Sequence, residues 1–131
     1  MQIAFSKIIY LTGPISSEPD YKRVFALAHR LFAHDGHPVI NPAEIVLEWA
    51  DKMPEPECWA GYLTYDLAIL NSISTHAIMV RLPNWGRSKG SCLEQAFAYQ
   101  HHIPVKNVWD FIPDFLELLE AELAKGKEHA T

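Results

Sequence analysis

Apolar residues recur along this chain in two rhythms, short unbroken blocks and longer stretches repeating every three or four positions. Ser6–Thr12 is a block of the first kind, rich in β-formers and ended by Gly13-Pro14, and predicts a buried strand. A helix is expected from Ser17, with Asp20 as its capping-box-like partner. Tyr21, Val24, Phe25, Ala28, Leu31 and Phe32 carry its helical spacing to about Asp35, and Gly36 closes it. Val39-Ile40 is a second short strand, stopped by Asn41-Pro42, and Ala43–Pro56 is the least regular stretch. Trp59, Leu63, Leu67 and Leu70 set the stripe of a helix from about Glu57 to Asn71.

His76–Leu82 is the next strand, and its core Ala77-Ile78-Met79-Val80 shows no alternation, as a strand covered on both faces requires. A helix over Ser91–His101, a strand over Pro104–Val108 and a helix over Phe111–Lys125 complete the order. Phe115, Leu118, Leu119 and Leu123 form the last apolar stripe. Strands alternating with helices through short connections predict a single three-layer α/β domain, flavodoxin- or Rossmann-like, with a mainly parallel sheet of four or five strands. That domain is expected over residues 1–126, with a frayed tail at 127–131. Ligands of such sheets sit at the carboxyl ends of the strands, which selects the loops Gly13–Ser17, Asn41–Pro56 and Pro83–Ser91.

Composition changes this picture little: 49% hydrophobic and 21% charged is ordinary globular material rather than disorder. A formal charge of −5 argues against nucleic-acid polymers as partners. Cys58 and Cys92 form no CxxC pair and suggest no disulfide framework. Nothing resembles a signal peptide or a membrane span, so a cytoplasmic protein without a membrane partner is expected.

The candidate chemistry concentrates between Arg81 and Glu94. Gly86 and Gly90 permit close backbone approach, and the N–H groups opening the following helix favour an anion. Arg87 and Lys89 add charge, and Ser88 and Ser91 add hydroxyl donors, so a phosphate monoester fits; the competing reading is a solvated βα loop. Ser91-x-x-Glu94 also satisfies a capping box, in which the carboxylate merely returns to the helix end. Held ionised at a helix N-terminus, the same carboxylate suits nucleophilic attack on a sugar carbon. Asp66 is a poor mid-helix residue and is either solvent-facing or a proton donor paired with Glu94. Tyr10 is either a core aromatic or the residue that orients Glu94.

Gly86-Arg87-Ser88-Lys89-Gly90 fits the G-x-S-x-G of serine hydrolases, but Pro83-Asn84-Trp85 separate it from its strand and no HGGG-type segment appears. Cys92 reads as a small packed hydrophobe rather than a thiol nucleophile. The seven histidines show no metal-ligand spacing. Dinucleotide and P-loop signatures are absent, so neither a metal nor another cofactor is expected.

Four segments taken together, Tyr10–Ser16, Asn41–Glu44, Asp66-Leu67 and Ser88-x-Gly90-x-x-x-Glu94, resemble the nucleoside 2-deoxyribosyltransferase-like superfamily. The likeness is nearest to its small, often phage-associated branch, and runs from about Lys7 to Val105. It implies a parallel α/β fold and cleavage of an N-glycosidic bond with Glu94 as nucleophile, Asp66 as the acid protonating the departing base and Tyr10 positioning Glu94. Members that hydrolyse nucleoside 5'-monophosphates carry serine six positions before the glutamate, where Ser88 stands here. Gly13 and Ile15 are then expected along the sugar, and Ser88, Gly90 and Ser91 with Arg87 or Lys89 at the phosphate. Cys92 replaces a glycine usual in the family loop. The resemblance thus implies a hydrolase of 2'-deoxyribonucleoside 5'-monophosphates, or a transferase passing the sugar to another base. The reading from a different class is a non-catalytic nucleotide-binding sensor. A homodimer or higher homo-oligomer is expected, with the Phe115/Leu119 helix face as its contact.

Overall fold

The computed structural model describes residues 7–128. Its sheet has four strands, β1 (Ile8–Thr12), β2 (Val39–Ile40), β3 (Ala77–Arg81) and β4 (Val105–Asn107), in the order β2-β1-β3-β4, all parallel. Helices α1 (Tyr21–His34), α2 (Glu48–Asp51), α3 (Glu57–Ile73), α4 (Lys89–Gln100), α5 (Val108–Phe111) and α6 (Phe115–Glu128) link and cover the strands. This is the expected three-layer α/β fold with four strands. The predicted first-strand residue Ser6 and tail residues 129–131 lie outside the described residues, whereas 127 and 128 continue α6.

Period-two alternation along β1 and β3 sorts the core into two layers. Ile9, Leu11, Val80 and Leu82 pack with Phe25, Ala28 and Phe32 of α1 and with Phe115 and Leu119 of α6. Tyr10, Ala77 and Met79 face the opposite side, against Leu70 of α3 and Ala98 of α4. Register pairs Tyr10 with Met79 and Thr12 with Arg81, and Arg81 in turn with Asn107. Polar residues at the strand ends therefore stand in one row. The reversal of strand order falls between β1 and β3, and the crevice at their carboxyl ends is where an open α/β sheet binds ligands.

Helix ends differ from expectation in three places, each for a local reason. Helix α1 starts at Tyr21 rather than Ser17, and its Asp20 cap makes no side-chain bond. It closes as predicted at Gly36, whose φ of +88° favours glycine, with Gly36 N–H donating to Ala33 and His37 N–H to Phe32 in a Schellman arrangement. Helix α4 starts at Lys89 rather than Ser91, because Ser88 is its cap: Ser88 Oγ accepts from Ser91 N–H at 3.0 Å. The predicted helix 111–125 is two helices, since Pro113 drives Ile112 out of the helical region to φ −126°, ψ 83°.

The apolar face put forward for self-association also needs correction. Phe115 is fully buried and Leu119 nearly so, both inside the α1–α6 layer, leaving Leu116 and Leu118 outward on that helix. No helix among the described residues is long and apolar enough to cross a membrane.

Candidate active site

A cavity of about 550 Å³ opens at the carboxyl ends of β1 and β3. Its floor is built by Gly13 after β1 and by Glu94 and Ser91 of α4, and its wall by Asp66, Leu63, Tyr62 and Trp59 of α3. Ile45 and Asp51 from the irregular segment close the far side. The apolar stripe predicted for α3 thus divides. Leu70 and Leu67 pack in the core, while Leu63 and Trp59, one and two turns before Leu67, line the cavity. Gly13 is needed sterically, because a Cβ there would lie 3.0 Å from Leu82 Cβ.

Glu94 is almost entirely buried, yet its carboxylate does not close the helix end. With α4 beginning at Lys89, Glu94 sits in the second turn and turns toward the sheet. Tyr10 Oη donates to Oε2, and Thr12 Oγ1 donates to Oε1 at 2.9 Å. The capping-box reading is therefore overturned by the true cap, Ser88. Asp66 lies within hydrogen-bonding reach of Glu94, and its Oδ1 is buried without a partner among the described residues.

Burial, reinforced by the charge of Glu94, pushes the Asp66 carboxyl up to about 8. Burial raises Glu94 as well, but donors from Tyr10, Thr12 and Asp66 act in the opposite direction. A single proton shared by the pair belongs on Asp66, because hydroxyl donors reach both Glu94 oxygens and none reaches Asp66 Oδ1. Burial and then the neighbouring carboxylates raise Tyr10 well above the usual phenol range, so it stays a donor. One buried carboxylate ionised and one protonated is the division of labour that nucleophile and acid require.

The anion end is smaller than the sequence suggested. Ser88 and Gly90 line the cavity, and a Cβ on Gly90 would meet only Trp59 Nε1 at 3.7 Å and Ser88 Oγ at 3.8 Å. The N–H of Gly90 lies in the first helical turn, where no intrahelical acceptor exists, and so can serve an anion. Ser91 lines the cavity too, but its N–H is taken by Ser88 and its hydroxyl lies 2.7 Å from Thr12 Oγ1. Arg87 and Gly86 are not among the lining residues. Lys89 reaches the rim indirectly, its ammonium lying over the Trp59 ring at 5.4 Å from the centroid. Arg81, at the end of β3 a few residues before these cations, turns away to stack on Trp85 and bond Asn107.

The cavity therefore brings together Glu94, Asp66, Gly13, Ile15, Ser88, Gly90 and Ser91, with Tyr10 buried beneath Glu94. Thr12 and Gln95 were not singled out by sequence reasoning, and Arg81 was read only as one of the cations near an anion; the one signal of Thr12 and Gln95 was polarity within otherwise apolar elements. Cys92 is exposed and is not a lining residue. No group of three His, Cys, Asp or Glu side chains suited to a metal occurs among the described residues.

Residues 7–107 match the family described as a domain of unknown function, DUF4406. The chain belongs to this family. No curated protein and no solved structure matches it. The matched span of this DUF4406 member runs from β1 to the end of β4, and includes every residue named above as lining the cavity.

Proposed function

We propose that this DUF4406 protein cleaves the N-glycosidic bond of a 2'-deoxyribonucleoside 5'-monophosphate. The observation that carries the reading is the buried Glu94–Asp66 pair opening on the cavity, with Tyr10 and Thr12 donating to Glu94. A Glu94 oxygen attacks C1' as the bond to the base breaks, through an oxocarbenium-like transition state. The electron pair of the broken bond leaves on the base nitrogen, which takes the proton of Asp66. Water then attacks C1', Glu94 departs as carboxylate, and Asp66 recovers a proton from that water. The products are free base and deoxyribose 5-phosphate. Another base in place of water would make the protein a transferase.

The 5'-phosphate is assigned to Ser88 Oγ and the Gly90 N–H, with Lys89 supplying longer-range charge from the rim. Trp59, Leu63 and Ile45 offer the apolar surface a base needs. Ser88 is a poor candidate for a serine nucleophile. Its oxygen caps α4, and no histidine among the described residues lines the cavity to act as its base.

Incubation with a panel of deoxynucleosides and their 5'-monophosphates, followed by chromatography of the free base, tests the proposal. Release from monophosphates is expected, with loss of turnover but retained nucleotide binding in Glu94→Ala. Binding without turnover by the wild-type protein on every substrate would overturn it in favour of a nucleotide sensor.

A further inference from the structure

A chain of side-chain hydrogen bonds runs behind Glu94, away from the cavity, and every link in it has a forced direction. It starts at Arg81, whose guanidinium has only donors. Arg81 Nε donates to Asn107 Oδ1 at 2.9 Å, and Nη1 donates to Gln95 Oε1 at 3.5 Å. The amide nitrogen of Gln95 donates to Ser91 Oγ at 3.3 Å. Ser91 Oγ and Thr12 Oγ1 are 2.7 Å apart, and Thr12 Oγ1 donates to Glu94 Oε1 at 2.9 Å.

An ionised carboxylate accepts only, so the single proton of Thr12 points to Glu94. Thr12 must then accept the single proton of Ser91, and Ser91 in turn accepts from Gln95. The carbonyl of Gln95 faces Arg81. Thr12, Ser91 and Gln95 are all buried, so none of these groups can exchange its partner for water without a cost. Thr12, Arg81 and Asn107 are register partners across β1, β3 and β4, while Ser91 and Gln95 are one turn apart on α4. Sheet register and helix pitch together therefore fix the whole chain.

We infer that Thr12, Ser91, Gln95 and Arg81 are positioning residues, a one-way hydrogen-bond chain that holds Glu94 ionised and fixed for attack. The catalytic role of Glu94 rests on the function proposed above; the chain itself does not. Three titratable groups bear on Glu94: Tyr10 from β1 and Asp66 from α3 directly, and Arg81 from β3 through the chain. Lys89, on the same helix, is occupied over Trp59.

The test uses Gln95→Glu, which keeps the size of the side chain and strengthens the Arg81 pair but can only accept from Ser91. The proton of Ser91 then turns to residue 95, and Thr12 loses the donor behind it. Thr12→Val removes the last donor at nearly constant shape, and Thr12→Ser restores it. The readout is the carboxyl titration of Glu94 followed by ¹³C NMR of glutamate-labelled protein, together with the acid limb of the pH–rate profile.

The lower step of the Glu94–Asp66 pair is expected to rise by about one pH unit or more in Gln95→Glu and Thr12→Val, roughly a tenfold loss of ionised Glu94 on its flank. Recovery is expected in Thr12→Ser. The inner links at 2.7 and 2.9 Å predict a larger effect for Thr12→Val than for Gln95→Glu. An unchanged titration in folded Gln95→Glu overturns the inference, whatever the turnover. Shifted titrations in a protein without turnover would leave the chain standing and remove the proposed reaction instead.

Discussion

Asp66 and Glu94 show how two like side chains acquire opposite roles from their neighbours. Glu94 has hydroxyl donors on both oxygens, whereas Asp66 Oδ1 has no partner, so the shared proton belongs to Asp66. Burial, and then the charge of Glu94, pushes the folded Asp66 carboxyl up to about 8 from its ordinary 3.8. Between these limits the native state binds more protons than the unfolded chain, so stability falls as pH rises from about 4 to about 8. Asp66→Asn is expected to flatten that decline and to raise Tm relative to wild type above about pH 8, which thermal melts across the range would measure. The same variant should lose roughly 10²–10⁴-fold in turnover, together with the basic limb of the pH–rate profile. The residue types of Tyr10, Asp66 and Glu94 were readable as candidates. Their partners were not, because Tyr10 and Glu94 stand 84 positions apart.

Among the elements, α2 and α3 decide the shape of the cavity. Helix α2 approaches α3 at Gly61, where a Cβ would fall 2.9 Å from the Trp49 ring and 3.1 Å from Ala50 Cβ. Gly61→Val is expected to push α2 outward and carry Asp51, a lining residue, with it. Overpacking of this kind costs about 1–3 kcal/mol, and the lower end is expected because Trp49 is largely exposed and can swing. The larger effect should be a rise in KM with kcat less affected, read from steady-state kinetics. The sequence placed α3 well because its stripe is long and its rhythm clear. It misplaced the start of α4 because Ser88-x-x-Ser91 and Ser91-x-x-Glu94 both resemble capped ends. Gly90 in the first turn disguised the true one, being a weak helix former. Helix α2, a single turn inside an irregular segment, was invisible to periodicity.

The whole molecule is two core layers on one sheet, and the α1–α6 layer meets the cavity at its edge, where Tyr21 and Ala43 are lining residues. Phe115 of α6 lines no part of the cavity, so its variants should affect stability without changing chemistry. Phe115→Ala is expected to cost about 3–5 kcal/mol in denaturant unfolding, with kcat unchanged in the protein that remains folded. The order of strands and helices, the parallel sheet and the loops that carry the site followed from apolar rhythm, since burial on both faces of a strand or one face of a helix leaves a local imprint. Glycine at Gly13 and Gly36 also had a local signature. Whether Phe115 and Leu119 faced a partner or the core did not, since an apolar stripe records that it is covered and not by what. The same holds at the site: the sequence supplied a carboxylate near a helix start, and folding turned it inward. Parallel register aligned Thr12, Arg81 and Asn107, and the pitch of α4 brought Ser91 and Gln95 to them. Hydrogen-bond partners were set by where distant backbone segments meet, a long-range property that no local spacing encodes.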